Sequence, residues 1–126
     1  MLRKSKFGFT LIELLVVMAI IAVLLTIATP KYFHSIDKSK EAVLAQNLEI
    51  TRQAIDKFYG DNGKYPDTLD DLVQKKYLRS LPYDPISESN STWVIIAPAS
   101  VDKGAVYDIK SGATGTGTNG TDYKNW

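Results

Sequence analysis

An α+β fold is the expectation: a long N-terminal α-helix, part membrane stem and part amphipathic spine, packed on a small antiparallel β-sheet. Three observations predict it. The residues from Phe9 to Ala28 form an almost unbroken apolar run; the residues after Pro30 carry apolar positions at spacings near three and four; and two short runs rich in β-branched and aromatic residues follow a proline-containing loop.

Composition sets the frame. With 126 residues, 44% apolar and 23% charged, the chain has room for one small domain and a membrane segment. The formal net charge is +1, and Arg3, Lys4 and Lys6 supply three of the cations, so the chain beyond residue 8 is mildly acidic. Bulk charge therefore excludes nucleic-acid binding. Cysteine is absent, which excludes disulfides and thiolate metal sites.

At ~1.5 Å per residue, some twenty helical residues cover the ~30 Å of a hydrocarbon core. The run from Phe9 to Ala28 is long enough to span. Arg3, Lys4 and Lys6 precede it and no acid does, so the positive-inside bias keeps the N-terminus cytoplasmic and places everything after Pro30 outside. A secretory signal peptide is the rival reading, but Glu13 interrupts its apolar core and Pro30 closely follows any small-residue cut near Ala28.

Glu13 is out of place in such a run, because an ionised carboxylate at membrane depth costs a few kcal/mol unless it is paired or reaches the headgroups. Cleavage between Gly8 and Phe9 would create a cation, the new α-amino group of Phe9, one helical turn from Glu13. If identical subunits pack side by side with an offset, the Phe9 amine of one can neutralise Glu13 of its neighbour and fix the register.

The stretch KSKFG|FTLIELLVV resembles the N-terminal signature of type IV pilins and pseudopilins, a short basic leader ending in Gly8. The resemblance implies removal of residues 1–8 by a prepilin peptidase, N-methylation of Phe9 and a requirement for Glu13 in assembly. It divides the chain into the leader 1–8, a transmembrane and assembly helix 9–30, and a helix-plus-globular periplasmic region 31–126 of pilin-like fold. Pro30 stands where the family usually has a proline. Lacking an amide hydrogen, it cannot bond to the carbonyl of Thr26, so a helix kink or loosening is expected there. Where the family often has a glycine eight residues earlier, this chain has Ala22.

After Pro30 the expected stripe is Phe33, Ile36, Val43, Asn47, Leu48, Thr51, Ala54, Ile55 and Phe58, with Asp37, Lys38, Lys40, Glu41, Glu49, Arg52, Asp56 and Lys57 on the polar face. One helix should run from Phe9 to about Tyr59, covered by the domain from about Val43 onward, and end at Gly60-Asp61-Asn62-Gly63. A short helix follows, capped by Asp67 or Thr68, with Thr68 and Asp71 at capping-box spacing and an end near Lys76. Tyr77 to Pro85, with two prolines, should be an ordered extended loop.

The order of a long helix, NGKYP, a small helix and YLRSLPYDP resembles the major pseudopilins of type II secretion systems. Thr92–Ala97 and Ala105–Lys110 are the expected strands, joined through Asp102-Lys103-Gly104 into a hairpin with one face on the helix stripe. The tail from Ser111 is rich in glycine and threonine, and Trp126 should anchor it. Asn90-Ser91-Thr92 and Asn119-Gly120-Thr121 match the glycosylation sequon, a match common by chance. The resemblance also implies a calcium ion in this last loop. Calcium takes six to eight oxygens, yet the segment holds one carboxylate, Asp122, to which Asp102 or Asp108 would have to be added. The expectation is therefore no cofactor, with the tail held chiefly by backbone hydrogen bonds and Trp126.

No enzyme is expected. The one histidine, His34, lies beside the membrane run, and Asp70 and Asp71 are helix neighbours about 100° apart that suit the first turn's dipole better than acid–base work. The glycines of the tail precede no helix, so they form no phosphate loop. The expected function is structural: a subunit of a helical filament in the inner membrane, most like the major pseudopilin of a type II secretion system that moves folded proteins out of the cell. Its partners would be copies of itself, the prepilin peptidase, the inner-membrane assembly platform and minor pseudopilins. The alternative is a type IV pilin or minor pilin serving adhesion, motility or DNA uptake; from another class, a membrane-anchored binding module competes, which would need neither Glu13 nor the Gly8-Phe9 junction.

Overall fold

The structure, a computed structural model, describes residues 8–126; of the basic leader, the residues before Gly8 lie outside that range. Its elements are α1 (Leu11–Asn62), α2 (Leu69–Gln74), β1 (Val94–Ile96) and β2 (Asp108–Lys110), an α+β arrangement. α1 is shared between two compact units that meet between Ile36 and Asp37.

In the first unit the helix starts at Leu11, two residues later than expected, because the Thr10 hydroxyl accepts the backbone N–H of Glu13 at 3.1 Å and serves as a cap. From Leu11 to Ile27 its large apolar side chains are all exposed. Among the described residues this is the one helix long and apolar enough to cross a membrane.

In the second unit α1 buries Glu41, Leu44, Leu48, Thr51, Ala54, Ile55 and Phe58. The expected stripe was wrong in phase at its start: Val43 is 45% exposed and Leu44 fully buried. Adjacent Val43 and Leu44 both fit a three-four spacing, and only the series 44, 48, 51, 55, 58 stays on one side of a 3.6-residue helix. Cover begins at Glu41, which was expected on the polar face with Arg52; Glu41 is buried and Arg52 half-buried. The buried Thr51 hydroxyl donates to the Asn47 carbonyl at 2.7 Å, so no polar group is stranded there.

The helix also runs past Tyr59 to Asn62. Gly63 at φ +73 supplies the left-handed stop, its N–H donating to the Tyr59 carbonyl. α2 opens with the expected capping box: the Thr68 hydroxyl accepts from Asp71 N and the Asp71 carboxylate accepts from Thr68 N. It ends at Gln74, just short of Lys76, in a Schellman motif: Tyr77 N donates to the Leu72 carbonyl and Lys76 N to that of Val73, with Lys76 at φ +67 where glycine is usual.

Both strands are shorter than expected, three residues each. They pair antiparallel with Val94 opposite Lys110 and Ile96 opposite Asp108, and no third strand joins them among the described residues. The hairpin does not lay a whole face on the helix. Ile109 is fully buried, but all three residues of β1 are exposed, and Trp93, just before β1, enters the core instead. The core comprises Leu44, Leu48, Ala54, Ile55 and Phe58 of α1, Leu72 of α2, and Trp93, Val106, Ile109, Ala113 and Tyr123. The loop before β1 turns on Asp84, whose fully buried carboxylate accepts from Ile86 N, Ser87 N and the Ser111 hydroxyl.

Candidate functional site

The segment singled out by the sequence is Gly8 to Pro30. Gly8 and Phe9 precede α1 and are exposed, Phe9 at 86%, and a side chain built on Gly8 would meet nothing within 4 Å. Glu13 lies in the first turn of α1, where its negative charge complements the helix dipole. Its carboxylate makes no hydrogen bond or ion pair with another described residue. α1 continues through Pro30. One turn before it, the Thr26 hydroxyl donates to the Ala22 carbonyl at 2.8 Å.

Around Glu13 the apolar surface of α1 is exposed from Leu11 to Ile27, Leu14, Leu15, Met18, Ile21 and Leu25 included. In water this would be untenable; in lipid or against the same helix of another copy it is satisfied.

The other candidates are dispersed. His34 is exposed on α1; Asp71 is used in the α2 cap; Asp108 pairs with Arg52 at 2.8 Å; Asp102 is exposed in the turn before Gly104. Asp122 accepts the Thr116 hydroxyl at 2.7 Å across an isolated antiparallel bridge. Among the described residues no three His, Cys, Asp or Glu side chains group as metal ligands.

Two polar residues of α1 that the sequence reading set on the solvent face hold the tail. Glu41 accepts from Thr118 N, the Thr118 hydroxyl and the Tyr123 hydroxyl. Arg52 donates to Asp108, to the Ile109 carbonyl and to the backbone oxygen of Trp126, which also accepts from Lys110. Trp126 is half-buried, its indole N–H donating to the Thr121 carbonyl, in agreement with an anchored tail. Burial and the Glu41 carboxylate push the Tyr123 phenol up to about 12. The missed signal at Glu41 is its phase, three residues before Leu44 on the buried side.

Comparison with known proteins adds identity to this geometry. Residues 3–29 match the family model described as the prokaryotic N-terminal methylation motif. Over the entire chain, 29% of residues are identical to the type II secretion system core protein G of Pseudomonas aeruginosa, covering 99% of that protein. The core protein G of Klebsiella michiganensis is 28% identical, again over the entire chain and 96% of the relative. The type IV major pilin protein PilA of Myxococcus xanthus is 34% identical over 56% of this chain and 34% of its own length. No solved structure matches the chain.

Proposed function

From a chain that carries the N-terminal methylation motif of the type IV pilin family and aligns end to end with type II secretion core proteins G, we propose a structural subunit of a helical pseudopilus, the major pseudopilin of a type II secretion system. The alignment over the entire chain carries this reading, since the globular part matches as well as the membrane helix. The exposed apolar length of α1 supports it.

In this proposal the prepilin peptidase cuts between Gly8 and Phe9 and methylates the new amine, which stays cationic. The processed subunit waits in the inner membrane, N-terminus cytoplasmic and second unit periplasmic. Glu13, an unpaired anion at membrane depth, is drawn to the Phe9 amine of a subunit already in the filament, because pairing removes the penalty of a lone charge in hydrocarbon. Each addition, at an assembly platform with minor pseudopilins, lengthens a rod that moves folded cargo outward. The subunit works mechanically, with neither a catalytic centre nor a cofactor.

Intact mass of the protein extracted from its native host tests the processing. The expected species begins at a methylated Phe9, and assembled material retaining Met1 to Gly8 would contradict it. The shorter likeness to a pilin keeps a type IV pilus as second reading; loss of protein secretion without loss of surface pili on deleting the gene separates the two.

A further inference from the structure

We propose that Glu41 is an internal anchor that closes the segment 111–126 onto α1, so that this segment folds without a divalent cation. The carboxylate is 5% exposed, and burying a charge is tolerable only when it is compensated. The tail supplies three such partners. Oε2 accepts from Thr118 N at 2.9 Å and from the Tyr123 hydroxyl at 2.6 Å; Oε1 accepts from the Thr118 hydroxyl at 2.6 Å. Thr118 lies 77 residues beyond Glu41, so these contacts determine where the tail meets the helix.

A cation would need the opposite arrangement. Calcium requires a shell of oxygens turned inward, whereas the groups converging on Glu41 are an N–H and two O–H donors. Asp122, the segment's own carboxylate, is engaged with Thr116 and Asp108 with Arg52, and no three His, Cys, Asp or Glu side chains group as metal ligands among the described residues. The residues present therefore do not fit the calcium loop that the resemblance implies. The segment is tied elsewhere at its two ends, Ser111 to the Asp84 carboxylate and the Trp126 backbone oxygen to Arg52 and Lys110, and within itself by Gly117 N to the Thr121 carbonyl, Gly120 N to that of Gly117, and the Tyr123 and Trp126 rings 5.4 Å apart. Charge-assisted bonds to one buried carboxylate are the strong members of this set.

Hydrogen–deuterium exchange of the whole chain in detergent micelles, with excess calcium chloride or with chelator, tests the anchor. Residues 111–126 of the unaltered protein should exchange at the same rate in both. Glu41→Gln, which turns an amide NH2 toward the donors, should speed exchange there by about tenfold or more while α2 keeps its protection. Tyr123→Phe, which removes one bond and no packing, should have a smaller effect confined to the same segment and serves as the test if Glu41→Gln does not fold. Calcium-dependent slowing in the unaltered protein would overturn the proposal, and so would unchanged exchange of 111–126 in the variant that folds.

Discussion

At Tyr123 a phenol is buried against the carboxylate of Glu41, and its ionisation would place two negative charges within hydrogen-bond distance. Burial first, then Glu41, hold its pKa at about 12, above the ordinary range of a phenol. The neutral form is therefore favoured in the fold, so the stabilisation is complete below about pH 10 and is lost as pH rises towards about 12. Ultraviolet titration of the seven tyrosines should show a late-ionising phenol that disappears in Tyr123→Phe; ionisation of all seven together near pH 10 would contradict the buried contact. Tyr65, through burial, and Tyr77, through its bond to Asp61, are also raised. At neutral pH, Tyr123→Phe should lower unfolding stability by about 1–2 kcal/mol, the range for one bond to a charged acceptor.

Among the elements, the phase of α1 is the sharpest point of contact between sequence and structure. The helix, its stop at Gly63, the Thr68–Asp71 box and the place of the hairpin were legible, because spacing and turn chemistry are local properties, whereas the Thr10 cap was not. The phase at Val43 and Leu44 was not, since two adjacent aliphatic residues give the same pattern until a partner chooses between them. Glu41 and Arg52 were misplaced for a related reason: a charged side chain reads as solvated unless its partner, here Thr118 and Tyr123 or Asp108, is known to return from far along the chain. The exposure of β1 was equally unreadable, as Val94, Ile95 and Ile96 have the composition of a buried strand.

Two substitutions examine the elements directly. Leu44→Ala should lose about 3 kcal/mol in denaturant unfolding, whereas Val43→Ala should stay within about 0.5 kcal/mol; equal losses would mean that the phase is wrong. Lys76 holds a left-handed conformation at the end of α2, so Lys76→Gly should relieve strain and raise stability by about 0.5–1 kcal/mol, the same measurement reading the gain.

For the whole molecule, the division between Ile36 and Asp37 separates two kinds of surface. The second unit buries its apolar residues internally around Leu44, Leu48, Ile55, Leu72 and Ile109. The first exposes nearly all of its apolar surface and satisfies itself only in lipid or against other copies. The second unit is thus satisfied by its own packing, and the described part of the first is not. The methylation motif at residues 3–29 was legible in sequence because it is short and contiguous.

Glu13 is proposed to serve assembly and not folding or insertion, and filament yield from Glu13→Ala expressed in the native host, with membrane content of the same variant measured beside it, tests that role. The account predicts normal or easier insertion, since a charge leaves the hydrocarbon, together with absent or rare filaments. Filaments at the yield of the unaltered chain would contradict it.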